Sequence, residues 1–244
     1  MHERGIPTGF IDHEIVLGAL HVPYQVYVPP SYDPTRRWPV ILFLHGAGER
    51  GDDGLRQTEV GIGTAIRLHR DWFPAIVVMP QCPVDSIWNG AVEDAAFRAL
   101  ERTIDELHGD PSRVYIAGLS MGGYGSWQML MDHPGVFAAI VTAAGGVTAP
   151  PSMKELFVHV AGGDPYRVVA ERVRGVPAWL FHGGADPVVP VMESRRMVEA
   201  LRAVGSPVRY TEYPGVEHDS WDTAFGQREL WEWLFAQHRG SSTS

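Results

Sequence analysis

The stretch Val114-Tyr115-Ile116-Ala117-Gly118-Leu119-Ser120-Met121-Gly122-Gly123 (residues 114–123) decides the fold. Its first four residues form an apolar run with β-branched members, which predicts a strand over Val114–Ala117. The residues Gly122–Met131 follow at once and read as a helix. A strand that turns abruptly into a helix through Gly-Leu-Ser-Met-Gly forces Ser120 into a strained backbone conformation. The hydroxyl is then exposed at the C-terminal edge of a sheet. The helix start behind it offers free N–H groups and the positive end of a dipole to a developing anion. The plainer reading of the same residues is a serine in a turn whose glycines only permit tight packing.

Outward from this turn, apolar runs at Tyr24–Val28, Val40–Leu44, Ala75–Met79, Phe137–Thr142, Ala178–Phe181 and Val208–Tyr213 predict further strands. Several are nearly continuous, as in parallel strands covered on both faces. Between them, Val92–Leu107 sets Phe97, Leu100, Ile104 and Leu107 at spacings of three and four, with charged residues on the other face, and reads as a helix. Met192–Val204 and Trp221–His238 read the same way. Strand and helix alternate from about residue 40, so the chain is predicted to be α/β. A mostly parallel central sheet carries helices on both faces, and the strand-rich first 30 residues supply an antiparallel edge. One domain over residues 1–240 is expected, with 147–176 a small lid or excursion and 241–244 a disordered tail.

Composition agrees with a globular domain: 244 residues, 45% hydrophobic and 20% charged, enough to bury a core without a disulfide or structural metal. A net charge of −9 with no basic tract disfavours nucleic acid and anionic membrane as partners. The single cysteine, Cys82, excludes an internal disulfide and a thiolate zinc site. No apolar run reaches the roughly 18 residues of a membrane span, and Met1-His2-Glu3-Arg4-Gly5 lacks the pattern of a secretory signal. The expectation is a soluble protein, cytoplasmic, or secreted if a leader has been removed. No P-loop, HExxH or dinucleotide fingerprint is present, so no cofactor and no metal are expected.

A serine hydroxyl needs a base within hydrogen-bond reach, and the base needs a carboxylate to orient it. The strand Ala178–Phe181 ends in His182-Gly183-Gly184-Ala185-Asp186-Pro187, and Val208–Tyr213 is followed by Pro214-Gly215-Val216-Glu217-His218-Asp219. Asp186 and His218 thereby fall on loops at the edge that carries Ser120. The chain order of nucleophile, acid and base is that of the α/β-hydrolase fold. His45 and His182 compete as base, and Asp164 and Asp219 as acid. Asp219 adjoins the histidine it would have to orient. In His45-Gly46-Ala47-Gly48-Glu49-Arg50-Gly51, the small residues Gly46 and Gly48 let backbone approach a substrate. The N–H groups of Ala47, or else Gly48, and of Met121 are the candidate oxyanion donors. Glu49 and Arg50 read as structural, pairing with each other or with a neighbour.

Together HGAGERG, PQCP, GLSMGGYG, HGGADPVVP and GVEHDSWD resemble the serine carboxylesterases of the α/β-hydrolase superfamily. The branch is that of phospholipase/carboxylesterases or prolyl-oligopeptidase-like esterases, near the feruloyl esterases and polyhydroxyalkanoate depolymerases. The resemblance covers about residues 20–238. It implies Ser120 as nucleophile, Asp186 as acid, His218 as base and Ala47 with Met121 as oxyanion donors. It also implies a pocket place for Trp88, whose other reading is a core aromatic, whereas Trp221 either walls the site or anchors the last helix. The expected substrate is a small-molecule carboxylic ester, with a short acyl chain because no long apolar lid is evident in the sequence. Feruloyl or acetyl esters of polysaccharides, peptides, or silent binding on the same fold are the alternatives. Such chemistry needs a neutral histidine, so activity is expected to fall on acidification through the range around a reference pKa of about 6.5.

Overall fold

Among the described residues, eight strands form one sheet: β1 (Gly9–Leu17), β2 (Leu20–Val28), β3 (Trp38–Leu44), β4 (Ile76–Pro80), β5 (Gly109–Leu119), β6 (Ala139–Ala143), β7 (Ala178–Gly183) and β8 (Val208–Tyr213). Their spatial order is β1-β2-β4-β3-β5-β6-β7-β8. The pairs β1/β2 and β2/β4 are antiparallel, and every later pair is parallel. This is the α/β-hydrolase fold, with the expected antiparallel edge. The computed structural model describes residues 6–240, so the expectations for Met1–Gly5 and for 241–244 fall outside the described residues.

Seven α-helices of the described residues accompany the sheet: α1 (Ile62–Leu68), α2 (Gly90–Glu106), α3 (Met121–Asp132), α4 (Pro165–Arg172), α5 (Met192–Ala203), α6 (Trp221–Phe225) and α7 (Arg228–Phe235). The apolar residues of α2 to α5 meet one face of the sheet, where Leu100, Trp127, Val169 and Leu201 join Val40, Leu42 and Ile116 in one core. Those of α1, α6 and α7 meet the other, where Ile62, Phe225 and Trp231 join Ile41, Phe43 and Phe181. Both faces are therefore dry, and β3, β4, β6 and β7 are buried along their whole length. That accounts for their unbroken apolar sequences.

Three differences from the sequence reading have local causes. The strand β1 escaped notice because it is an outer strand carrying Asp12, His13 and Glu14, and only Ile15 in it is buried. The expected single helix Trp221–His238 is two, α6 and α7. Between them, the Phe225 carbonyl accepts the Trp231 indole N–H at 2.8 Å, and Gly226 is a weak helix former. Within the irregular stretch 147–176, Pro165 begins α4: Asp164 caps the helix by accepting the Arg167 N–H at 3.0 Å, and proline is tolerated in the first turn.

One buried group makes the stability of the fold depend on pH. Glu93, in the first turn of α2, is 6% exposed, and its Oε1 has no hydrogen-bond partner. Burial, with Asp132 and Asp94 nearby, pushes its carboxyl up to about 8 from 4.5. The folded chain thus holds a proton that the unfolded chain releases, so Glu93 favours folding fully below pH 4.5 and loses that contribution as pH rises toward 8. Glu93→Gln is expected to raise the melting temperature relative to the parent by an amount that grows from about pH 5 to about pH 8. Thermal melts across that range check it, and a constant difference would refute it.

Candidate active site

The parallel register sets the C-terminal ends of the strands side by side: Leu44 opposite Gly118, Leu119 opposite Ala143, Ala143 opposite Phe181, and Gly183 opposite Tyr213. The loops that leave those ends carry His45–Gly48, Ser120, Asp186 and His218, and they converge. The Ser120 Oγ lies 2.9 Å from His218 Nε2, and His218 Nδ1 lies 2.7 Å from Asp186 Oδ2. Asp164 caps α4 and pairs with Arg196, and the acid contacting His218 is Asp186.

The turn at Ser120 has the predicted strain, with φ 48° and ψ −119°. Its N–H donates to the Ala143 carbonyl at 2.9 Å, which anchors it to β6. Glycine is required beside it because α3 lies so close to β3 and β5. A Cβ at Gly122 would overlap the Leu44 carbonyl, and one at Gly118 would overlap the Gly122 carbonyl and Ser126 Oγ.

The loop after β3 is held by its own side chains. The Cys82 N–H donates to His45 Nε2 at 2.9 Å, which leaves the His45 proton on Nδ1, 2.6 Å from the Gly46 carbonyl oxygen. Burial drives the His45 pKa down to about 4, against the pull of the Gly46 carbonyl, so the ring stays neutral above that value. The Gly46–Ala47 peptide is trans. With its oxygen turned back to His45, its N–H at Ala47 points the opposite way. Two further bonds brace the turn: Gly46 N–H donates to Glu49 Oε2 at 3.0 Å, and Arg50 Nε donates to the Ala47 carbonyl at 3.0 Å. Glu49 and Arg50 thus bind neighbouring backbone and not each other. Burial raises the Glu49 carboxyl, the Gly46 N–H opposing it.

A cavity of about 370 Å³ opens over Ser120. Gly46, Ala47, Gly48, Met121, His218 and Trp221 line it. Trp221 also starts α6 and packs against the core. Its ring meets that of His218 edge-on, with centroids 5.2 Å apart. Trp88 lies elsewhere, a correction to the pocket place that resemblance implied. It is 3% exposed, stacks edge-on against His45, and donates its indole N–H to the His45 carbonyl at 3.0 Å. Its large apolar ring is satisfied in the core and its one polar atom supports the loop from beneath. Cys82 is buried, its thiol pushed up to about 12 by that burial.

One wall is built from residues that the sequence reading did not assign to the site. Pro150, Ser152, Met153 and Leu156 come from the irregular segment after β6, and Val188 and Val189 from the turn after Asp186. The segment is fastened by a buried carboxylate, Glu193, which accepts the N–H groups of Val147 (2.8 Å) and Thr148 (2.9 Å) and the Tyr166 hydroxyl (2.7 Å). No periodicity announces such a wall; the apolar pair Val188-Val189 beside Asp186 is the one local signal that could have found part of it. Among the described residues no group of three or more His, Cys, Asp or Glu is placed to hold a metal ion, and no helix is long and apolar enough to cross a membrane.

The chain is similar to several known proteins. An uncharacterized secreted protein of Arthroderma benhamiae is 28% identical over 222 residues, which cover 81% of this chain and 23% of that one. A thermostable esterase of known structure is 34% identical with a TM-score of 0.79, covering 94% of this chain and 63% of its own. This chain therefore spans a quarter to two thirds of the length of those relatives. A CE1 ferulic acid esterase from Anaeromyces mucronatus, solved with ferulic acid, shares the fold at 15% identity and a TM-score of 0.67, covering 97% of this chain and 93% of its own. The profile of the prolyl oligopeptidase family matches residues 88–238. That stretch is more than half of the sequence and runs from just before α2 to just past α7, and on it the chain belongs to the prolyl oligopeptidase family.

Proposed function

We propose that the protein is a serine carboxylesterase in which Ser120, His218 and Asp186 act as nucleophile, base and orienting acid. One observation carries this reading: the unbroken hydrogen-bond chain from Ser120 Oγ through the His218 ring to Asp186, opening on a cavity. The esterase relative at 34% identity supports the same activity.

In this mechanism His218 Nε2 takes the Ser120 proton as Oγ attacks the ester carbonyl carbon, and Asp186 stabilises the imidazolium. The carbonyl π pair moves to oxygen, and the Met121 and Ala47 N–H groups receive that oxyanion. The oxyanion collapses, the bond to the alcohol oxygen breaks, and His218 returns the proton to the departing alcohol. Water, deprotonated by the same nitrogen, then attacks the acyl-enzyme and releases the acid and Ser120. Asp186 suits its part because it remains ionised. Burial would raise its pKa, but hydrogen bonds from His182, His218 and the N–H groups of Val188 and Val189 hold it well below the usual carboxylate range.

The walls favour a small, uncharged acyl group. Ala47, Pro150, Met153, Leu156, Val189 and Trp221 are apolar, and no lysine or arginine lines the cavity. The family's name keeps amide cleavage as the second reading. Matched ester and amide substrates of one acyl group separate the two, with the ester expected to be much the faster.

Ser120→Ala is expected to lower hydrolysis of p-nitrophenyl butyrate by about 10³-fold or more while leaving circular dichroism and melting temperature unchanged. Undiminished turnover would refute the assignment. Met153→Ala, which trims a half-buried wall residue, is expected to move the preferred acyl group to longer chains in a graded p-nitrophenyl ester series. An unaltered profile would remove the irregular segment from the acyl pocket.

A further inference from the structure

His182, the next-to-last residue of β7, is a fully buried imidazole four residues before Asp186. Its Nε2 faces two acceptors, the Val189 carbonyl oxygen at 3.0 Å and Asp186 Oδ2 at 3.2 Å. A nitrogen facing only acceptors must carry hydrogen, so in the neutral ring Nδ1 is the acceptor and takes the hydroxyl hydrogen of Ser194, 2.7 Å away on α5. The Asp186 side chain, itself fully buried, is then saturated. Its Oδ1 accepts the N–H groups of Val188 at 2.8 Å and Val189 at 3.0 Å. Its Oδ2 accepts His218 Nδ1 at 2.7 Å and His182 Nε2 at 3.2 Å.

We propose that His182 is a positioning residue for the reaction: a second imidazole on the Asp186 carboxylate that fixes the atom against which His218 is aimed. The inference rests on the serine esterase reading above. His182 holds the acid at two points, directly at Oδ2 and indirectly through Val189, whose carbonyl it binds and whose N–H binds Oδ1. The carboxylate is thereby prevented from rotating about its Cβ–Cγ bond. Oδ2 stays where the His218 Nδ1–H must meet it for Nε2 to face Ser120. Through Ser194 the same ring links this arrangement to α5, whose preceding turn supplies the cavity wall residues Val188 and Val189. A histidine that served only to fill the core would not need its proton on the nitrogen facing the acid.

The test compares kcat and KM for p-nitrophenyl butyrate, the melting temperature, and the far-downfield proton resonance of the His218–Asp186 hydrogen bond. His182→Phe keeps a ring and removes the donor. It is expected to lower kcat about ten- to hundred-fold with KM little altered, and to shift or abolish the downfield resonance. His182→Gln can return an N–H to the carboxylate and is expected to recover most of kcat. Ser194→Ala, a milder change that frees Nδ1, is expected to lower kcat a few-fold and move the resonance, and it carries the test should His182→Phe fail to fold. A folded His182→Phe with parental kcat and resonance overturns the proposal, as does a loss confined to KM, no recovery in His182→Gln, or an unaffected Ser194→Ala. If Ser120→Ala retains turnover, the esterase reading itself fails. An inactive Ser120→Ala beside a fully active His182→Phe overturns the role of His182 alone.

Discussion

The approach of α3 to the sheet is the constraint on which the rest depends. The Leu44 carbonyl lies where a side chain at position 122 would begin, so the helix can start there only with glycine. The chain must turn from β5 into that helix within one residue, and Ser120 takes up the turn at φ 48°. Such a conformation costs about 1–3 kcal/mol and persists only where the surroundings overdetermine it. Here they do, because every residue of α3 from Met121 to Met131 is buried and the Ser120 N–H is tied to β6. Packing energy collected along three turns of helix holds one hydroxyl in place.

Around that hydroxyl the protein handles buried ionisable groups in opposite ways. His45, sealed between Cys82 and Gly46, is kept neutral, because its work is to orient a peptide and burial penalises its charged form. Asp186 is just as inaccessible and is kept charged, because four donors converge on its two oxygens. Burial strengthens each arrangement, since an interaction in low dielectric is screened less than one in water.

A similar economy appears in the supports. Trp88 and His45 lie beneath the loop that presents Ala47, and Glu49 and Arg50 brace it from within. Glu193 fastens the segment that bears Met153 and Leu156. In each case a polar side chain satisfies backbone groups that an irregular loop cannot pair with itself, and a loop so paired has one conformation to offer a substrate.

The sequence by itself determined the sheet, the elbow, and the identities of Ser120, Asp186 and His218 as the residues brought together. Those features are local: an apolar run, a glycine that must be glycine, a loop placed at a strand end by the strand's direction. Even α4 has a local signature in Asp164-Pro165, a cap followed by a proline in the first turn. Tertiary structure alone decided that Trp88 belongs to the core, that residues 150–156 wall the cavity, and that Asp186 is shared by two histidines. Those outcomes depend on which surfaces meet across the sheet and on hydrogen bonds between groups far apart in the chain, for which a linear pattern carries no term.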